Sequence, residues 1–250
     1  MLEKPKRTQL NRALSKLGLC SRKIADGWIA SGIVSVNGEV EKNPEEWVDL
    51  SVDQIVVAGT EQKLSSEKKV FVYLVMHKPR GFVTTRSDEL GRKTIYDLLP
   101  APYASKEQWI FPVGRLDLES EGLLFLTNDG EWSDLLTDPK FHLEKVYHVK
   151  LDGKPLEIEL EKLRSGIVLE EKKTLPARVE ILPGGWFKVG ITEGRNRQIR
   201  KMFHSLGYKV KRLMRVSIGA FELGELPVGE TRVMDLESVE TLRRAALKGK

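Results

Sequence analysis

Hydrophobic positions along this chain change period several times, and each change marks an element. Leu10, Ala13, Leu14 and Leu17 recur at helical spacing across residues 8–18, with Gly18 where a left-handed glycine closes a helix. Ser21 is placed to cap a second helix, which carries Ile24, Ala25, Trp28 and Ile29 and closes near Gly32. Ile33 to Val36 then reads as a strand, and Asn37-Gly38 is a strong hairpin signal. Val48 and Ile55 to Val57 complete a small β unit. The pattern predicts a helix–turn–helix–hairpin module over residues 1–62. The polar, weakly patterned stretch that follows predicts a linker over 63–69.

The remainder, 70–236, reads as a second domain. Val70 to Met76 is an apolar strand run ending at the Lys78-Pro79-Arg80-Gly81 turn. Leu123 to Leu126 is uninterrupted and apolar, as a strand buried on both faces should be, and Asn128-Asp129-Gly130 stops it. Val146 to Leu151 alternates, predicting a half-exposed strand, and Phe187 to Ile191 predicts another. From Arg197 to Leu206, Ile199, Met202, Phe203 and Leu206 share one helical face and the basic residues take the other. Residues 237–250 predict a terminal tail helix. Strands outnumber dispersed helices, which predicts an α+β fold with a mixed, mostly antiparallel sheet.

Composition narrows the class. An apolar content of 40% and a charged content of 31% over 250 residues describe an ordinary soluble chain with room for one small and one larger core. A single cysteine, Cys20, excludes an internal disulfide framework, and the charged N-terminus lacks an apolar leader; both point to a cytoplasmic protein. The net charge of +5 is modest, but its distribution is not uniform. Residues 1–30 hold seven Lys/Arg against two acids, and residues 194–221 hold eight against none. Two such blocks are the footprint of a polyanion binder.

Several chemistries are poorly supported. The four histidines are scattered and none pairs with Cys20 at ligand spacing, so no metal site is expected. No G-x-G cradle, Walker loop or G-x-S-x-G elbow occurs, so no nucleotide cofactor or serine hydrolase triad is expected. What remains is Asp117, two residues behind Arg115 in a glycine-bounded loop before the buried strand. Spacing alone leaves it open between a capping aspartate paired with Arg115 and a carboxylate acting as nucleophile or base. Tyr147 by itself reads as a sheet-face aromatic; beside a nucleic-acid footprint it can instead stack on an unpaired base. Arg195, Arg197 and Arg200 lead into a helix whose first turn favours anions, and Arg200 is placed to lie beside a buried carboxylate.

Together these motifs resemble a known family. Gly114-Arg115-Leu116-Asp117 with Ser120-Glu121-Gly122-Leu123 is similar to the catalytic motif of ribosomal RNA pseudouridine synthases of the RsuA type. Lys78-Pro79-x-Gly81, Glu144-Lys145-x-Tyr147 and Glu193 to Met202 follow the order found in that family. Leu14, Gly18, Ser21-Arg22-Lys23, Ala25 and Val36-Asn37-Gly38 resemble the RNA-binding module first seen in ribosomal protein S-four. The likeness spans nearly the whole chain. It implies an isomerase that flips a uridine out of ribosomal RNA, cuts its N-glycosidic bond and rejoins the uracil through carbon 5, without cofactor or metal. It implies Asp117 as the essential carboxylate, Tyr147 packed on the base, Arg200 paired with Asp117, and Arg115 holding the backbone around the vacated position. RNA contacts are expected from Arg12, Ser21, Arg22, Lys23, Lys78, Arg195, Arg197 and Lys201, on a protein acting as a monomer. The competing class is a non-catalytic RNA-binding or assembly factor.

Overall fold

A computed structural model describes residues 7–17, 19–59, 70–105 and 109–248. Gly18 and the linker over 63–69 lie outside these residues. The described chain divides into two compact units, one made of the residues before Tyr73 together with 105, 109–110 and 128–131, the other of the rest.

The first unit carries strand β1 (Arg7–Gln9), helices α1 (Leu10–Lys16) and α2 (Arg22–Ala30), and strands β2 (Val34–Val36), β3 (Glu39–Val40), β4 (Trp47–Asp49) and β5 (Ile55–Val57). Ser21 caps α2 by accepting the Ile24 amide at 3.2 Å. Leu10, Ala13, Leu14, Ala25 and Ile29 are completely buried against Val34, Val48, Ile55 and Val57. Each fully buried Leu or Ile contributes about 1.5–3 kcal/mol. The first helix starts two residues later than its period predicts. Arg7–Gln9 instead pairs with Trp47–Asp49 as an antiparallel ribbon, a long-range pairing that local spacing does not encode.

The second unit contains β6 (Tyr73–Lys78), β7 (Phe111–Val113), β8 (Glu121–Thr127), α3 (Gly130–Thr137), β9 (Lys145–Leu151), α4 (Glu157–Arg164), β10 (Val168–Leu169), β11 (Lys172–Lys173), β12 (Arg178–Leu182), β13 (Trp186–Ile191), α5 (Gln198–Ser205), β14 (Val210–Ile218), β15 (Phe221–Glu222), β16 (Thr231–Val233) and α6 (Leu236–Lys248). Its main sheet runs β12-β13-β9-β14-β8-β6-β16, with β7 on β8 and β15 on β14. Only the β14–β8 pairing is parallel, so the expected mixed, mostly antiparallel α+β sheet is what the chain forms. All seven residues of β8 are buried, as its unbroken apolar run predicts.

Where β8 meets β14 the backbones approach so closely that a Cβ on Gly122 would lie 2.2 Å from the Arg215 carbonyl oxygen, and its φ is +108°. Only glycine fits there. The core centres on Phe125 and the fully buried Trp132, whose rings sit 5.4 Å apart, with Tyr73 edge-on to Trp132 at 5.1 Å. Helix α6 belongs to this core: Val239, Leu242 and Ala246 are buried in it, and the Trp132 indole donates to the Val239 carbonyl.

Candidate active site

The loop that carries Asp117 joins β7 to β8 and is tied down along its length. Lys78, at the end of β6, is completely buried, and its ammonium donates to three main-chain carbonyls: Pro79 at 3.0 Å, Asp117 at 3.1 Å and Ser120 at 2.9 Å. Thr84 donates its hydroxyl to the Leu116 carbonyl at 2.6 Å, and the Gly81 amide donates to Leu118 at 2.8 Å. The segment 78–84 therefore holds every turn of the loop, which is how a reactive side chain is kept in place. Burial pushes the Lys78 amine down to about 8, and Arg215 adds to this, while Asp117 and Glu121 oppose it. These contacts correct the expectation that Lys78 binds RNA. With no exposed surface and its protons directed at carbonyls, it has nothing to offer a phosphate.

Asp117 lines a cavity of about 440 Å³ together with Tyr147, Arg115, Arg197, Lys145 and Arg215. Tyr147 comes from β9 and is 8% exposed. The guanidinium of Arg197 bridges the acids of the loop, 2.9 Å from Glu119 Oε2 and 3.8 Å from Asp117 Oδ2. Arg197 adopts a left-handed conformation, φ 51° and ψ 32°, at the start of α5. Such strain in a non-glycine residue costs about 1–3 kcal/mol and tends to be stored where function needs a side chain aimed.

Arg200, one turn further along α5, lies elsewhere than expected. Its guanidinium donates to the Glu119 and Val210 carbonyls, each at 3.1 Å, and it stands 3.9 Å from the Glu119 carboxylate. It clamps the backbone of the loop, and the arginine within ion-pair reach of Asp117 is Arg197. A helix advances about 100° per residue, so residues three apart share a face without reaching the same atom. Arg197, with Arg200 beside it, holds the Glu119 carboxyl below the usual range.

The other predicted cations divide sharply. Arg115 is exposed at the cavity with no partner among the described residues. Arg195 donates to Glu193 and to the carbonyls of Lys172 and Lys173, fastening the β10–β11 hairpin. Lys201 is engaged by Glu170 at 2.6 Å. In the first unit Arg12, Arg22 and Lys23 are exposed, whereas the Ser21 oxygen serves as the α2 cap.

Two cavity residues were not singled out as site residues in the sequence, although Lys145 lies in the Glu144-Lys145-x-Tyr147 motif and Arg215 in the basic block. Arg215 is 4% exposed; its Nε donates to the Leu123 carbonyl at 2.7 Å, while its Nη2 is buried with no hydrogen-bond partner. Lys145 donates to the Leu143 carbonyl at 3.0 Å and is pushed down to about 8 by burial and by Arg215. Leu213 and Arg215 share one face of β14, which places an arginine among apolar neighbours, but the charges along the strand hide that face in the sequence. A buried guanidinium with an unused donor, beside a carboxylate and an aromatic ring, is equipped to bind a polar, partly anionic ring system.

Among the described residues no group of histidine, cysteine and acid side chains could hold a metal, and no helix is long and apolar enough to cross a membrane.

Comparison with known proteins identifies the family. Residues 72–205 match the family model of RNA pseudouridylate synthases, and residues 9–52 match that of the S4 domain. An RNA-modifying isomerase with an RNA-binding module is the class these define. Ribosomal large subunit pseudouridine synthase B of Bacillus subtilis (strain 168) is 38% identical over 248 residues, covering 97% of this chain and 98% of that one. The protein of the same name from Pseudomonas aeruginosa is 37% identical over 244 residues, which cover 94% of this chain but only 61% of its own length. A solved structure described as a pseudouridylate synthase superposes with a TM-score of 0.69 at 33% identity, covering 94% of this chain and 99% of that chain. The chain belongs to the RNA pseudouridylate synthase family.

Proposed function

We propose that this enzyme converts uridine to pseudouridine in ribosomal RNA of the large subunit, with Asp117 as its one essential carboxylate. The names of its relatives supply the substrate class. The observation that carries the residue assignment is the meeting of Asp117, Tyr147 and Arg197 around one cavity, with Asp117 on a loop immobilised by Lys78.

The isomerisation breaks the N1–C1′ bond and forms a C5–C1′ bond; the proton on C5 leaves and N1 gains one, so composition is conserved. Extruding the uridine costs a few kcal/mol, least from a loop. Stacking on Tyr147 offsets about 1–3 kcal/mol of that. Arg115 takes the backbone around the vacated position, Arg197 orients Asp117, and Arg200 positions the loop through the Glu119 carbonyl. The phosphate contacts needed to hold the rest of the RNA come from Arg12, Arg22 and Lys23 of the N-terminal module.

Asp117→Asn tests the assignment. The amide keeps the shape of the side chain but cannot act as nucleophile or base. Tritium release from RNA labelled at carbon 5 should disappear while RNA affinity stays within a few-fold. Release at the wild-type rate would reject Asp117.

A further inference from the structure

The cavity occupies one face of the sheet, and the opposite face carries a second pattern that the isomerisation does not use. Because side chains alternate along a strand, β9, β13 and β14 each present two sets of residues. Tyr147, Val149, Phe187, Val189, Leu213 and Arg215 form the set that packs into the core and the cavity. The other set is in cross-strand register: Trp186 opposite Lys150 opposite Arg212 in one row, and Lys188 opposite His148 opposite Met214 in the next. None of these six is buried. They border an open cavity of about 370 Å³ formed by His148, Leu182, Pro183, Trp186 and Met214.

The cations in this patch are fixed rather than loose. Lys150 lies 5.8 Å from the Trp186 ring centroid and Arg212 lies 5.5 Å from it. Lys150 is held by the Gly184 carbonyl, and Arg212 by two bonds to Glu121, at 3.0 and 2.7 Å. Lys188 makes no hydrogen bond or ion pair among the described residues, although Glu180 stands opposite it on β12. The acids nearby are already matched: Glu121 by Arg212, and Glu144 and Glu180 by Arg178. Burial and the neighbouring Lys188 push the His148 imidazole down.

From this juxtaposition we propose that the face built by Trp186, Lys150, Lys188 and Arg212 is a second RNA contact, in which an unpaired base stacks on Trp186 between cations that take the flanking phosphates. The inference rests on the reading that the substrate is RNA. Charge complementarity selects the occupant. A planar apolar ring with two positioned cations and one unengaged ammonium suits a polyanion that carries π-faces, since stacking is indifferent to sequence and phosphates repeat along the strand. Lys150 and His148 neighbour Tyr147 and Val149 on β9, so a single strand serves both faces.

Photocrosslinking tests this directly. The full chain is irradiated with a twelve-residue oligouridylate containing 4-thiouridine, and adducts are mapped by mass spectrometry after trypsin. The tryptic peptide 179–188 contains Trp186 and no residue of the Asp117 cavity, so its labelling reports this face alone. Labelling should be strong, persist in Trp186→Phe, and drop by roughly 5- to 100-fold in Trp186→Ala. The saturating rate of tritium release should be unchanged in both variants. Adducts confined to peptides of the Asp117 cavity, or protection of 179–188 by oligoglutamate and not by unlabelled oligouridylate, would overturn the proposal, the latter in favour of an acidic protein partner. An unlabelled 179–188 in an enzyme that still releases tritium removes only this face. An active Asp117→Asn removes only the catalytic assignment.

Discussion

Basic residues in the two units do opposite things with their charge. In the N-terminal module Arg12, Arg22 and Lys23 stand in solvent with no partner among the described residues, on a frame whose apolar side is completely buried. In the catalytic unit the cations nearest the reaction are mostly engaged: Lys78 by three carbonyls, Arg200 by two, Arg195 by two carbonyls and Glu193. The contrast separates two uses of charge that look alike in a sequence. Exposed, unengaged cations release counterions when a phosphate arrives. Buried cations instead organise backbone, and their contribution shows in rate and stability rather than in salt dependence.

The sharpest way to break that contrast is Lys78→Met. Methionine fills the space and removes the ammonium, so three carbonyls around Asp117 lose their donor together. Misplacing a catalytic group by about 1 Å costs roughly 100-fold in rate, and a drop of at least that size in kcat is expected. RNA affinity and its salt slope should hardly move. A flattened salt slope with intact kcat would instead put Lys78 back among the groups that bind phosphate.

Alkaline pH should produce a smaller decline by the same route. Lys78 and Lys145, both pushed down to about 8, give up protons as pH rises through that value. A neutral Lys78 keeps two N–H donors for three carbonyls and turns a lone pair toward the third, so log(kcat/KM) should bend downward above about pH 8. Stability should respond with the opposite sign. Each lysine is less basic folded than unfolded, so the folded state binds fewer protons between about 8 and 10.5. Their burial cost is therefore complete below that window and is relieved as pH rises through it. Activity falling while urea resistance from these groups rises is a signature that general unfolding does not give. Lys78→Arg should move the bend upward; a bend that neither Lys78→Arg nor Lys145→Arg displaces belongs to another group.

What was legible in the sequence follows the same division. Strand β8 and helix α5 could be read because their apolar periods are local. The Asp117 loop could be read because its glycines and turn residues carry their own geometry. The fate of individual cations could not, because it depends on partners far along the chain: Lys78 meets a loop 39 and 42 residues away, and Arg200 meets Glu119 81 residues away. Arg215 was hidden for a related reason. Its role depends on β14 lying parallel to β8, with Gly122 allowing the close approach, and a nine-residue strand crowded with charges does not announce a buried face. Charge counting found the basic block of 194–221 but could not say which of its members face water.

Two sets of cation-removing variants sharpen the comparison at its finest scale. Arg22→Ala with Lys23→Ala removes two exposed cations from the start of α2, where neither caps the helix. Folding stability should stay within about 0.5 kcal/mol, while the slope of log K against log salt should flatten by roughly 0.7–0.9 for each phosphate no longer neutralised. Arg195→Ala removes a guanidinium that ties the β10–β11 hairpin to the loop before α5. Breaking those bonds should cost about 1 kcal/mol in chemical denaturation and leave the salt slope alone. If instead Arg195→Ala flattens the slope as the module pair does, the guanidinium leaves its carbonyls when RNA arrives. The division between engaged and available cations would then describe the free enzyme only, and the β10–β11 hairpin would be released on binding.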